Sequence, residues 1–372
     1  MAGLYIHIPF CKSRCIYCAF YSTTDSRWRQ RYVDAVCREM ELRSEKREVK
    51  SVKFKTIYVG GGTPSQLTTK QLGQLFLYIN KVYDNQAQEV TIEMNPDDVT
   101  AEYATTLSQL GINRVSMGAQ TFDNQRLSFL HRRHTASQVS MAVQHLRNAG
   151  ICNISIDLIY GFPHETLTDW ANDIEAALAL NVEHISAYCL SIEEGTPLHK
   201  WTTDNGEWTM DEELERKMYE LLIDKLAAAG YEHYEISNFA RPGFRSRHNS
   251  SYWQNVPYIG IGAAAHSYDG KSRSWNVSDL KTYMEAIERR ERPYEEELID
   301  DDTHYNDCIT TALRTCEGLD LTTLSAVHRQ YCEKEAQRFI DGKLLRREGD
   351  RLILTRQGLF VSDYVMSSLI YI

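Results

Sequence analysis

The chain has no apolar run approaching the ~18 residues that a helical membrane span requires, so no segment is built to cross a bilayer in that way. No basic stretch leading into an apolar core and a small-residue cleavage site opens the sequence, which argues against export and makes the cytoplasm the expected compartment. Basic residues are in deficit: 41 Lys and Arg stand against 51 Asp and Glu, a net charge of −10. A protein that tracks a phosphate backbone needs the opposite balance, so nucleic acid is not expected as a partner. Internal repeats and low-complexity tracts are also missing. What remains is ordinary globular composition, 42% hydrophobic and 25% charged over 372 residues, long enough for one large domain and a smaller one.

Short β-branched runs alternate with longer amphipathic stretches from Leu4 to about Ile236, the pattern of successive βα units. Leu4–Ile8, Thr56–Val59, Val90–Glu93, Arg114–Met117, Ile154–Leu158 and Ile185–Leu190 read as strands. Trp28–Leu42, Thr69–Val82, Ala101–Leu110, Ser137–Ala149, Thr166–Leu180 and Asp211–Ala229 read as helices. Six such repeats predict an α/β fold, a partial (β/α)6 barrel of TIM type, with reactive groups on the loops after the strands. Polar loops fall there: Gly60-Gly61-Gly62 after the second strand, Asn95-Pro96 after the third, Gln120 after the fourth, Gly161-Phe162-Pro163 after the fifth. The expected division is a core barrel over 1–236, a barrel extension and linker over 237–302, and a helical, winged-helix-like module over 303–372. The acidic run Glu295–Asp302 reads as a solvated link into that module.

Nine cysteines, an odd number in a chain expected in a reducing compartment, argue for metal ligation or free thiols rather than disulfides. Cys11, Cys15 and Cys18 form C-x3-C-x2-C on the loop after the first strand. Three thiolates in a short loop can hold three irons of a [4Fe–4S] cubane, leaving one iron open to chelate the amino and carboxylate groups of a methionine moiety. A structural zinc loop is the alternative; it needs a fourth ligand, for which His7 on the strand is the nearby choice. Cys37, Cys152, Cys189, Cys308, Cys316 and Cys332 lie singly and read as packing residues.

With Leu4–Cys11, Gly60-Gly61-Gly62-Thr63-Pro64, Asp157–Pro163 and the C-terminal module, the sequence resembles the radical S-adenosylmethionine (SAM) superfamily over nearly its whole length. It is most similar to the branch of oxygen-independent coproporphyrinogen III dehydrogenases and HemW haem chaperones. The glycine triplet lets backbone approach a ligand. Glu93, ending the third strand, can accept hydrogen bonds from ribose hydroxyls. Asp157 is a carboxylate inside an apolar run, which should not stand there unpaired. By position in the family pattern, Tyr5, Tyr17, Gly61, Gly62, Thr63, Glu93, Gln120, Arg132 and Asp157 are the implied S-adenosylmethionine contacts.

Within that branch, the dehydrogenases carry a fourth cysteine two residues after the third, where this chain has Phe20. They also carry an N-terminal extension where this chain has Met1-Ala2-Gly3. His248-Asn249-Ser250-Ser251-Tyr252-Trp253 matches the H-N-x-x-Y-W segment of the chaperones. A histidine beside aromatic residues offers an axial nitrogen and flat faces to a porphyrin, which makes His248 a haem-ligand candidate, with His266 another. The resemblance therefore implies a haem chaperone passing haem to an acceptor protein, with peripheral contact to membrane-bound acceptors left open. Its rivals are a coproporphyrinogen III dehydrogenase and a winged-helix nucleic-acid binder using Arg346, Arg347, Arg351 and Arg356.

Overall fold

Strands whose residues are apolar on both faces must be covered on both, and neighbouring strands of that kind pair in parallel between layers of helices. In the computed structural model, which describes residues 3–45, 53–83, 85–204 and 211–372, the six runs form such a sheet. Met1 and Ala2, part of the short start noted above, lie outside the described residues. The strands are β1 (Gly3–Ile8), β2 (Phe54–Gly61), β3 (Asn85–Met94), β4 (Arg114–Gln120), β5 (Asn153–Tyr160) and β6 (His184–Cys189). They lie in chain order and pair in parallel throughout.

The helices between them are α1 (Arg29–Glu45), α2 (Thr69–Val82), α3 (Ala101–Gln109), α4 (Asn124–Phe129), α5 (Ala136–Asn148), α6 (Leu167–Ala179), α7 (Pro197–Asp204) and α8 (Glu212–Ala228). Their starts are chemically marked. Thr68 and Thr166 form capping boxes with Gln71 and Asp169, satisfying backbone N–H groups of the first turns of α2 and α6. The helices bury one stripe each: on α6 it is Trp170, Ile174 and Ala177, with Trp170 against Tyr160 of β5 at 5.1 Å. The short α4 and α7 were not expected, since six and eight residues carry too little periodicity to read.

The sheet does not stop near residue 236. The hairpin β7 (Glu232–Glu235) and β8 (Asn238–Ala240) adds antiparallel to β6. The chain then crosses through α9 (Arg247–Trp253) to β9 (Tyr258–Ile261), which pairs in parallel with β1 on the opposite side. From there β10 (His266–Tyr268), β11 (Ser272–Asn276), α10 (Leu280–Glu288) and β12 (Tyr294–Leu298) extend an open sheet of twelve strands.

A buried ionic knot fastens this extension to the core. Glu39 of α1 has no exposed surface. It accepts hydrogen bonds from Gly262 N at 2.9 Å, Asn276 Nδ2 at 2.9 Å and the Tyr283 hydroxyl at 2.6 Å. Arg43 and Arg292 stand 3.7 and 3.8 Å from it. The expectation of a linker at Glu295–Asp302 is corrected here: Glu295–Leu298 belong to β12, paired with β11. Every residue of β12 is exposed because it forms an edge, and a row of carboxylates there blocks further pairing while looking in sequence like a solvated loop. Asp300 then caps the next helix through Thr303 N.

The C-terminal residues form helices Asp301–Ala312 and Ala326–Asp341 and a three-stranded antiparallel sheet of Leu319–Asp320, Leu345–Glu348 and Arg351–Leu354. Two short helices end the chain. Tyr305, Ile309, Cys332, Phe339, Leu352 and Leu369 belong to a hydrophobic cluster separate from that of the barrel. The four arginines weighed for nucleic acid are each in an ion pair: Arg346 with Glu348, Arg347 with Glu333, Arg351 with Asp320 and Arg356 with Asp224 of α8. Of the six single cysteines, Cys37, Cys308 and Cys332 are buried and Cys189 is half-buried, but Cys152 and Cys316 are exposed. The packing reading is corrected for those two: Cys152 sits in the turn entering β5, and Cys316 lies just past the turn after Ala312, beside Arg245. Among the described residues, no helix is long and apolar enough to cross a membrane.

Candidate functional site

The cysteine loop leaves the C-terminal end of β1 and is pinned at both its base and its middle. At the base, Cys11 N donates to Thr23 O at 2.9 Å and Thr23 N to Pro9 O at 2.7 Å. In the middle, Ile16 N donates to Leu130 O and Leu198 N to Ile16 O, while the Ile16 side chain packs with Leu130, Ile159, Phe162, Leu190 and Leu198. One apolar residue inside the motif thus anchors the loop and leaves Cys11, Cys15 and Cys18 partly exposed as free thiols.

The glycine triplet faces this loop. Gly62 N donates to Ile8 O at 2.9 Å, and a Cβ on Gly62 would stand 2.9 Å from the Pro9 carbonyl carbon and 3.1 Å from Cys11 Sγ. Only a residue without a side chain lets β2 approach the thiol so closely. Gly61 has φ +116°, and a Cβ there would lie 2.6 Å from the His7 ring. The Thr63 hydroxyl is 3.5 Å from Cys11 Sγ.

Glu93, at the end of β3, uses one lone pair on each oxygen: Oε1 accepts from the Tyr58 hydroxyl at 2.7 Å and Oε2 from Gly61 N at 2.9 Å. Burial pushes its carboxyl up to about 7 against those two hydrogen bonds. Asp157 of β5 lies 3.5 Å from the Ser116 hydroxyl and is likewise raised by burial, to about 6. Arg132 reaches back from the segment after α4: Nη1 lies 3.4 Å from Cys15 Sγ, and Nη2 donates to Asn95 Oδ1 and Gly118 O at 2.7 Å. Its Nε is buried without a partner. Gln120 takes a left-handed backbone, φ +68°, where β4 shifts register against β5.

Eight of the nine expected cofactor contacts, Tyr17, Gly61, Gly62, Thr63, Glu93, Gln120, Arg132 and Asp157, line one cavity of about 190 Å³ together with all three cysteines. Tyr5 does not. Its hydroxyl lies 3.0 Å from His7 Nδ1, and its ring lines a larger adjoining cavity of about 910 Å³. Tyr17, Cys18, Phe20, Glu93, Ser116, Gln120 and Asp157 border both. Ser116, Gly118 and Tyr58 were not singled out from sequence, because nothing local distinguishes them; only the register of β2, β3 and β4 brings them to the site, while Asn95 was named only as part of the polar loop after the third strand.

His248 lines the larger cavity from α9. It is fully buried, with Nδ1 2.9 Å from Thr56 Oγ1 and Nε2 2.8 Å from the Tyr252 hydroxyl. Its ring stacks on Tyr58 at 5.1 Å, and burial lowers it to about 3. Both ring nitrogens thus have hydroxyl partners within the protein, Thr56 and Tyr252. Glu89 accepts from the backbone N–H groups of Arg247 and His248 at 3.0 and 2.9 Å, fixing the start of α9 to β3. Through these contacts α9 is held against the barrel, and His248, Asn249, Tyr252 and Trp253 all line the larger cavity.

The residues fit a cubane cluster with S-adenosylmethionine. The thiols are soft ligands, Arg132 and Thr63 supply donors beside two of the sulfurs, and the glycine backbone leaves room next to them. Among the described residues, no three His, Cys, Asp or Glu side chains converge as a single metal ion would need. His7, weighed as a fourth zinc ligand, is instead within 3.0 Å of the Tyr5 hydroxyl and 3.3 Å of Tyr21 O.

Residues 5–177 match the radical SAM superfamily and residues 299–361 the HemN C-terminal domain. The solved structure of coproporphyrinogen III oxidase (HemN) from Escherichia coli, a radical SAM enzyme, superposes with a TM-score of 0.86 at 20% identity, covering 99% of this chain and 90% of that one. Fold and cysteine loop together define a radical SAM protein, an α/β barrel of the HemN kind with a HemN C-terminal domain. The heme chaperone HemW of Bacillus subtilis (strain 168) is 34% identical with 99% of both chains covered. That of Mycobacterium tuberculosis (strain H37Rv) is 35% identical over 99% of this chain and 94% of its own. The chain belongs to the HemW family.

Proposed function

We propose that the protein binds haem and passes it to an acceptor protein, and that it carries a [4Fe–4S] cluster on Cys11, Cys15 and Cys18 with S-adenosylmethionine at the open iron. The observation that carries this reading is the end-to-end match to relatives named heme chaperone HemW. Phe20 supports it: the residue standing where dehydrogenases place a cysteine is 75% exposed at the lip shared by both cavities. When bound, the cluster supplies one-electron chemistry at the sulfonium of the cofactor.

In this reading the chain's own groups do the positioning. Glu93 accepts the ribose hydroxyls, held in place by Tyr58 and Gly61. The backbone of Gly61 and Gly62 would offer hydrogen-bonding groups to the methionine moiety, and Arg132 would balance the thiolate charge at Cys15. Residues 1–236 act as the radical SAM unit, 237–302 supply α9 and the sheet extension, and 303–372 form the C-terminal module. The acceptor is reached from the cytoplasm, through peripheral contact where it is membrane-bound.

An anaerobic preparation with reconstituted cluster, tested in parallel for haem binding and for porphyrinogen oxidation, checks the reading. Stoichiometric haem binding without oxidation of coproporphyrinogen III is the expected result; the reverse would make the chain a dehydrogenase.

A further inference from the structure

The floor of the larger cavity holds a charge that the protein itself does not hydrogen-bond. Arg114 opens β4, is 1% exposed, and lines the cavity, yet its Nε and Nη1 are buried with no hydrogen-bond partner. A guanidinium cannot shed its proton, so a buried one without partners is costly to keep unless something else completes it. The neighbouring carboxylates Glu93 and Asp157 feel the Arg114 charge but do not hydrogen-bond it: Glu93 accepts from Tyr58 and Gly61, and Asp157 lies 3.5 Å from the Ser116 hydroxyl. The only other unpartnered buried side-chain atom among the described residues lining this cavity is Trp253 Nε1, also a donor. Every unmet hydrogen-bonding need in the chamber is thus for an acceptor. Tyr5, Tyr58, Tyr188 and Tyr252 give the chamber aromatic faces, Ile159 and Leu190 aliphatic ones, and the volume of about 910 Å³ is that of a cofactor-sized pocket.

We propose that Arg114 receives a carboxylate of a flat, apolar ligand seated in this chamber, which under the haem-binding reading above, on which the inference rests, is a porphyrin propionate. The planar fork of the guanidinium matches a carboxylate, and the aromatic walls match a flat ring. Tyr188 and Phe20 at the rim, both well exposed, mark where such a ligand enters.

The test titrates haem and metal-free protoporphyrin IX, each beside its dimethyl ester, into the full chain with reconstituted cluster, followed by Soret absorbance and porphyrin fluorescence. The wild type should bind the free acids about ten- to a hundredfold more tightly than the esters. Arg114→Met should lower acid affinity to the ester level while leaving the affinities for ester and for S-adenosylmethionine unchanged, and Arg114→Lys should keep part of the preference. Equal binding of acid and ester by the wild type overturns the proposal, leaves haem binding standing, and needs no variant to fold. An undiminished preference in Arg114→Met overturns it too, as does a loss confined to S-adenosylmethionine affinity. A wild type that binds neither porphyrin overturns both this inference and the haem reading.

Discussion

Replacing Glu93 by alanine tests the reading of the small cavity most directly. Each Glu93 oxygen accepts one hydrogen bond within the protein, at 2.7 and 2.9 Å, and keeps a second lone pair for a ribose hydroxyl. A hydrogen bond to a charged acceptor is worth about 1.5–3 kcal/mol, so Glu93→Ala should weaken S-adenosylmethionine binding by about one to two powers of ten, with the cluster absorbance retained. The pH dependence gives an independent sign. Burial holds the Glu93 carboxyl at about 7 before the cofactor enters, and ribose hydroxyls donate to the ionised form. Protons and cofactor therefore compete: affinity should be level above that value and fall as pH drops through it, by at most about tenfold per unit. Glu93→Gln should flatten the profile. Equilibrium dialysis from pH 6 to 8.5 on cluster-loaded protein measures all three. Because alanine also strands the Tyr58 hydroxyl and Gly61 N, Tyr58→Phe serves as the control for disturbed packing. Unchanged affinity in a folded, cluster-bearing Glu93→Ala protein would return Glu93 to a strand-end charge that only ties β2 to β3.

Serine at Cys11, Cys15 or Cys18 should abolish the iron–sulfur absorbance, whereas Cys152→Ser should leave it intact; loss in the Cys152 variant with retention in a Cys15 variant would misplace the cluster. Haem should bind with defined stoichiometry even in protein stripped of its cluster, since Arg114 and the tyrosines proposed to receive it are not cluster ligands, and coproporphyrinogen III should not be oxidised; multiple turnover to protoporphyrinogen without haem binding would reverse the assignment. Arg126 pairs with the buried Glu165 at 2.6 Å and Asp173 at 3.2 Å, so Arg126→Ala should cost about 3–5 kcal/mol in urea unfolding. A loss under about 1 kcal/mol would show that water replaces the pair. His248→Leu should cost about 1–3 kcal/mol of stability; loss of haem from a variant that stays folded would make His248 a ligand, and unchanged haem stoichiometry would make it structural.

The six βα units were legible because each carries two agreeing signals: a run of apolar β-branched residues, and a neighbouring stripe at helical spacing, sometimes with a threonine cap. Thr69–Val82 begins at a capping box, and its expected and observed ends coincide. The sheet beyond Ile236 was not legible, since β7 to β12 are three to five residues long and lie toward the edges. Runs this short carry too little alternation to read as strands, and the edge strand β12 is acidic and exposed, the composition of a loop. Their attachment rests on Glu39, a glutamate in the middle of α1 that sequence alone places on a solvated helix face. Its partners Gly262, Asn276 and Tyr283 lie more than two hundred residues away.

The site divides in the same way. Groups that act through local backbone, the C-x3-C-x2-C loop and the glycine triplet, announce themselves by spacing, because close approach to sulfur demands particular residues in a particular order. Groups that act through register do not. Arg114 heads an apolar strand and looks like a solvated end, but in-register pairing with Thr91 and Asn153 sets it inside the barrel. For His248 the motif was visible, while its contacts to Thr56 and Glu89 were not, since these are residues of β2 and β3 that no motif links to it. Those contacts set α9, and with it His248, Tyr252 and Trp253, against a chamber in which two buried nitrogens of Arg114 have no hydrogen-bond partner.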